Sequence, residues 1–172
     1  MARRTRDLDA EPVTDPTATR EAALKLLERT RRPRVDLARR LREKGFATPT
    51  VTEVLDRLVE VGLVDDVEYA RAWLAGRWGR RSAGWRRLQQ DLRAKGIADK
   101  DIESARGLIA GRDGAPDEDA AAAKVVAQAK RRFASLDDRT RRQRLYALLS
   151  RRGFDSDVIR RVLALGSSIE EA

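Results

Sequence analysis

The sequence predicts an all-α fold: three tandem three-helix repeats in an elongated array, straight or curved, behind a disordered N-terminal arm. Three observations carry this. Apolar residues recur at helical spacing and not in alternation. Aromatics make up only 5% of the 172 residues, and β-branched residues are sparse, which disfavours sheet. One block also occurs three times, as Leu37–Leu41–Lys44–Gly45–Phe46, Leu88–Leu92–Lys95–Gly96–Ile97 and Leu145–Leu149–Arg152–Gly153–Phe154. Six residues after each glycine stands a β-branched apolar residue: Val51, Ile102 and Ile159. The glycines lie 51 and 57 residues apart, and self-similarity at such a period marks a repeat architecture.

The block has a physical reading. The two leucines face inward, the base sits in the last helical turn where a cation suits the helix dipole, and glycine turns the chain. The large apolar residue after it then fills the space between the second and third helices. Leu41, Gly45, Phe46, Leu92, Gly96, Ile97, Leu149, Gly153 and Phe154 are accordingly fold determinants.

Taken in order, residues 1–15 are polar and aperiodic and read as the arm. Asp15–Pro16 then opens a helix, a capping residue followed by a proline that suits the first turn, with Ala23, Leu24 and Leu27 on one face. Pro33 ends it, Leu37, Ala38 and Leu41 mark the second helix, and Thr50 with Glu53 matches a capping box for the third. Gly62 closes the first repeat, residues 16–64. The second, residues 65–110, opens with an Asp65 cap and a face of Tyr69, Ala72 and Trp73, breaks between Gly79 and Gly84, resumes with Trp85, Leu88 and Leu92, and has Asp99 as the cap of its third helix. Gly111–Pro116 reads as flexible, so residues 111–117 form a linker. The third repeat, residues 118–166, runs through Val125, Val126 and Phe133, then Leu145, Leu148 and Leu149, then Val158, Ile159, Val162 and Leu163, and leaves a tail at 167–172.

Composition excludes much. The absence of Cys and His removes disulfides, Cys/His zinc sites and any catalytic scheme that needs either residue. There is no phosphate-cradling glycine loop. The acidic pairs Asp65–Asp66 and Asp137–Asp138 stand where helices begin, so they read as caps. No catalytic residue, metal site or cofactor is expected, and the chain does not read as an enzyme. No apolar stretch resembles a signal peptide or approaches the length of a membrane span, so a cytoplasmic protein without membrane contact is expected.

The net charge is +9, which attracts polyanions. The excess concentrates in the second helices: eight bases against two acids in residues 29–44, seven against one in 77–95, nine against two in 128–152. For polyanion contact the first choices are Arg77, Arg80, Arg81, Arg86, Arg87, Arg93 and Lys95, followed by Arg39, Arg40, Arg141, Arg142 and Arg144. Trp78 and Trp85 stand among these bases and can either stack on unpaired bases or fill the core.

With the repeats established, the stretch Gly62–Leu63–Val64–Asp65–Asp66 followed by Tyr69–Ala70–Arg71 resembles the joint between the first two units of the RecX family. Gly84 with Arg86–Arg87–Leu88, then Leu92 and Lys95–Gly96–Ile97, resembles that family's middle-unit motif. The likeness covers roughly residues 20 to 165. One departure is that Ala83 stands where the family often has Lys before the glycine, with Arg80 and Arg81 nearby to supply the charge. The resemblance implies a regulator that lodges in the groove of RecA filaments on single-stranded DNA and inhibits ATP hydrolysis and strand exchange, and so modulates recombination, DNA repair and the SOS response. It also implies some direct, sequence-independent DNA binding, to single strands and to duplex. A monomer is expected. The alternative is a DNA-binding regulator of helix-turn-helix type, against which stands the lack of a Gln/Asn/Ser base-reading face.

Overall fold

The computed structural model describes residues 11–78 and 83–168, with the side chains of 112, 113 and 165–168 excepted. Among the described residues there are nine α-helices and no strand: α1 (Pro16–Arg29), α2 (Arg34–Glu43), α3 (Thr48–Glu60), α4 (Asp66–Ala75), α5 (Trp85–Ala94), α6 (Asp99–Asp113), α7 (Glu118–Lys130), α8 (Asp138–Arg151) and α9 (Ser156–Ser168). A short 3-10 turn, Arg131–Phe133, follows α7. The chain divides into two compact units, residues 1–69 and 70–172. The boundary falls inside α4: the first unit holds α1 to α3 and the start of α4, and the second holds the rest of α4 and α5 to α9.

The recurring block builds the same helix stop each time. Gly45, Gly96 and Gly153 have φ of 94°, 83° and 82°, a left-handed conformation that glycine adopts without steric cost. The glycine amide donates to the carbonyl three residues back, and the next amide reaches the second leucine: Phe46 to Leu41, Ile97 to Leu92 and Phe154 to Leu149, each at 3.2 Å. This pair of bonds satisfies carbonyls that the helix end would orphan. Gly62 closes α3 in the same way, with Leu63 N–H donating to the Leu58 carbonyl at 2.9 Å. The residues six beyond each block glycine, Val51, Ile102 and Ile159, are all buried.

In the first unit Ala23, Leu37, Leu41, Val51, Val54, Leu55, Leu58 and Val64 form the core, with Leu24, Leu27 and Phe46 packed against it. Asp15 caps α1 by accepting from the Thr17 amide at 2.8 Å, as expected. The expected arm falls mostly on residues 1–10, outside the described residues. From its last stretch, Val13 donates to the Gly45 carbonyl and accepts from the Ala47 amide, both at 2.8 Å. That isolated bridge ties the start of α1 to the end of α2.

Three local readings need correction. The expected capping box at Thr50 and Glu53 does not form. Pro49 lies in the first turn of α3, so the helix boundary is Ala47, three residues before Thr50 and without a side-chain cap, and Thr50 is buried inside the helix. Asp99 is the first helical residue of α6 and not its cap; Ala98 holds that position. The buried stripe of α4 is Ala70–Leu74, continued by Trp78 just past its end, while Ala72 is exposed and Tyr69 and Trp73 are half-buried.

The linker is also shorter than the sequence suggests. Gly111 does not interrupt α6, since one glycine costs a helix only about 1 kcal/mol. The helix runs to Asp113 and stops at Gly114, whose φ is 74°. Asp117 then caps α7 through the Ala120 amide at 2.8 Å, and Asp137 caps α8 through the Thr140 amide at 3.0 Å. Of the expected tail, residues 167 and 168 belong to α9, and residues 169–172 lie outside the described residues.

Within the second unit the two repeats are joined backbone to backbone. The Gly84 amide donates to the Arg152 carbonyl at 3.0 Å, and the Arg86 amide donates to the Gly153 carbonyl at 3.1 Å. A Cβ on Gly84 would come closer than 3.0 Å to the Gly153 carbonyl, and one on Gly153 closer than 3.0 Å to the Arg87 amide nitrogen. The end of α8 and the start of α5 therefore fit only because both residues lack side chains. The third repeat's own core is Ala121, Ala122, Val125, Val126, Ala129, Leu145, Leu149, Phe154, Val158, Ile159 and Val162.

Candidate nucleic-acid interface

The second helices α2, α5 and α8 turn two leucines inward and their remaining faces outward, which brings most of the basic residues to the surface. Many of those charges are already matched. Asp36, in the first turn of α2, receives Arg32 at 3.0 Å, Arg39 at 2.5 Å and Arg40 at 2.8 Å, and Arg39 also meets Glu43 at 2.6 Å. Partial burial pushes the Asp36 carboxyl up, but the hydrogen bonds from Arg40, Arg39 and Arg32 outweigh it and hold its pKa at about 2. The same carboxylates raise Arg39 further above its ordinary value.

In α5, Arg86 pairs with Asp155 at 2.6 Å, Arg87 with Asp91 at 3.1 Å and Arg93 with Asp99 at 2.6 Å. The Arg93–Asp99 hydrogen bond raises the guanidinium and lowers the carboxyl. In α8, Arg141 pairs with Asp138. Arg142 is exposed and also has an interaction partner. Arg77 lies with its guanidinium 4.4 Å from the Trp73 ring centre and donates to the Trp73 carbonyl at 3.2 Å, so it is partly spent on its own helix end. Arg80 and Arg81 lie outside the described residues.

Of the cations singled out from sequence, Lys95 and Arg144 are exposed and without an ion pair among the described residues. Arg42, Lys44, Arg139 and Arg151 share that condition and were not singled out. Charge density along the chain favoured clusters, and clusters are where acids also gather. For Arg42, Lys44, Arg139 and Arg144 the usable signal is local, since no acid stands three or four residues away, the spacing at which helical side chains meet. Lys95 has Asp91 and Asp99 at that spacing, but they pair with Arg87 and Arg93. Lys44, Lys95 and Arg151 stand at or next to the glycine stops, where the unpaired carbonyls of the helix end also favour a cation.

The two tryptophans are a correction. Trp78 and Trp85 are each only 5% exposed, with ring centres 5.0 Å apart. The Arg106 guanidinium lies 4.5 Å from the Trp85 ring centre and 5.6 Å from that of Trp78. The Trp78 indole donates to Glu118 at 3.2 Å. Burial pushes the Glu118 carboxyl up, opposed by hydrogen bonds from the Trp78 indole and the Trp85 amide. These rings fill the seam between the second and third repeats and present no face to a nucleobase. Their position among bases in the sequence reflects a short chain segment that must be apolar inside and charged outside.

Among the described residues no group of His, Cys, Asp and Glu could hold a metal ion. No described helix is long and apolar enough to cross a membrane.

Three family models match the chain in order: the first three-helix domain of RecX on residues 20–58, the second on 65–105 and the third on 117–163. The regulatory protein RecX of Mycobacterium sp. strain KMS is 36% identical over 157 residues, covering 88% of this chain and 82% of that one. The regulatory protein RecX of Mycobacterium leprae is 38% identical over 136 residues, covering 79% and 78%. The crystal structure of RecX from Lactobacillus salivarius shares the fold with a TM-score of 0.76 at 20% identity, over 87% of this chain and 94% of that one. Three matched domains, falling on the three helical repeats, show that this chain belongs to the RecX family.

Proposed function

We propose that this protein is a non-enzymatic regulator that binds the RecA filament on single-stranded DNA and inhibits its ATPase and strand exchange. The observation that carries this reading is the match of all three domains, in order, to a family whose curated relatives are named regulatory protein RecX. The net charge of +9 supports it, because a filament on DNA offers phosphates.

The protein bridges neighbouring filament subunits and DNA phosphates and holds the filament in a state poor at hydrolysis or growth. It shifts that equilibrium only by as much as it prefers one filament state over the other. Phosphate contact falls mainly on the cations that no carboxylate neutralises, Lys95 and Arg144 with Arg42, Lys44 and Arg151, and the contacts carry affinity without sequence preference. Arg39, Arg40, Arg86, Arg87, Arg93 and Arg141 can join only by giving up an acidic partner.

The test is the single-stranded-DNA-dependent ATPase of the cognate RecA, titrated with this protein at two salt concentrations. Inhibition is expected well below the amount of protein that would coat the DNA, which separates filament modulation from masking of the strand. An unchanged ATPase at saturating protein overturns the reading and favours a DNA-binding regulator of helix-turn-helix type.

A further inference from the structure

The buried tryptophans leave open which aromatic, if any, meets an unpaired base. One aromatic on a second helix is exposed. Tyr146 lies in the middle of α8 and is 43% exposed. The leucines Leu145 and Leu149 anchor α8 in the core, so the helix is held in place while the tyrosine on the flank of that stripe keeps part of its ring at the surface. Its helical neighbours at three and four residues' distance on the exposed side are Arg142, Gln143 and Ser150, with Arg139 one turn further toward the N-terminus. All four are exposed. Helical side chains lean toward the N-terminus, so the ring covers the turn that carries Arg142 and Gln143.

We propose that Tyr146 is a stacking platform for an unpaired base of single-stranded nucleic acid, with Arg139 and Arg142 holding the phosphates beside it. The surroundings select this ligand. An aromatic anchor for another protein sits at the centre of an apolar patch, whereas the exposed residues on this side of α8 are two arginines, a glutamine and a serine. A ring among cations on a rigid helix is the combination that binds single strands without reading their sequence, since every base has a stacking face. Arg142 is about 6 Å along the helix axis from Tyr146 and Arg139 about 10 Å, so base and backbone contacts run in one direction along α8. The inference rests on the reading that the protein meets single-stranded DNA, and names where on the third domain it does so.

The experiment measures binding of a fluorescein-labelled single-stranded oligonucleotide to the full chain by anisotropy, for the wild type, Tyr146→Ala and Tyr146→Phe, at several salt concentrations. Tyr146→Ala is expected to lose about tenfold in affinity with the salt dependence unchanged, and Tyr146→Phe to stay close to wild type. Near-ultraviolet irradiation of a strand carrying 5-iodouracil is expected to cross-link to Tyr146. Thermal unfolding of the variants should match the wild type, because the side chain is exposed. Equal affinity of wild type and Tyr146→Ala overturns the proposal while leaving DNA binding by the protein intact. Equal losses in both variants also overturn it, since they assign the contact to the hydroxyl. Tyr146→Ala that binds DNA normally but inhibits the ATPase poorly overturns it in favour of a protein contact. A wild type that binds no single strand at all sinks both this proposal and the DNA part of the function above.

Discussion

Helices α2 and α8 carry the same block and end in the same hydrogen-bonded glycine stop, yet their surroundings differ in two respects. Around α2, Asp36 and Glu43 gather Arg32, Arg39 and Arg40 into one network, while α8 leaves Arg139, Arg144 and Arg151 exposed without an ion pair among the described residues. A Cβ added to Gly45 would meet no atom within 4 Å, whereas one on Gly153 at the end of α8 would run into the backbone of Arg87. A repeated sequence block therefore specifies how a helix stops, and leaves both its charge and its neighbours to residues outside the block.

The largest expected effect separates the two glycines. Gly45→Ala meets no atom within 4 Å and should cost only the left-handed backbone, about 1 kcal/mol. Gly153→Ala carries the same cost and must also push apart the joined backbones, so a loss of about 3 kcal/mol is expected. Urea unfolding followed by circular dichroism measures both, and equal losses would break the comparison. Next come the charges. Arg144→Ala and Arg151→Ala should each weaken single-stranded DNA binding several-fold and lower the salt slope by about 0.7, whereas Arg39→Ala should leave the slope close to wild type. A slope reduced equally by Arg39→Ala would mean that the Asp36 network opens on binding.

The smallest effect concerns pH. The Asp36 carboxyl has a folded pKa of about 2 against an ordinary value of 3.8. Its ionised form is thus favoured by folding, and the contribution is complete above about pH 4 and lost as the pH falls toward 2. For a carboxylate still partly in contact with solvent this amounts to about 1 kcal/mol. Asp36→Asn should remove that share of the acid destabilisation, read as the difference between the unfolding curves of wild type and variant over this window. No helix-α8 substitution should reproduce it.

Much of the architecture was legible in the sequence because local chemistry determines it. Gly45, Gly96 and Gly153 each sit where the last periodic leucine is followed by a backbone turn, and Asp15, Asp65 and Asp137 each accept from an amide two or three residues on. The failures are also local. Thr50 looked like a cap, but Pro49 moved the helix start; Gly111 looked like a break, but the left-handed residue is Gly114. The interface was far less legible. Arg86 and Asp155 are distant in sequence, as are Arg161 and Asp119, whose carboxylate and guanidinium meet at 2.7 Å, so no pattern of spacing reveals that those charges are matched. The burial of Trp78 and Trp85 likewise depends on a repeat that begins more than thirty residues later.

The Gly84–Gly153 contact bears on how such a protein can be rearranged. Tandem repeats suggest cassettes that can be swapped, duplicated or deleted, but this seam works as a keyed joint. A third domain grafted onto another chain would need a glycine waiting for it at the equivalent of position 84, and a chain cut after the second domain would bare Trp78 and Trp85 to water together with the Gly84 and Arg86 amides. The second and third domains are thus one heritable part, whose two glycines must be kept or lost together.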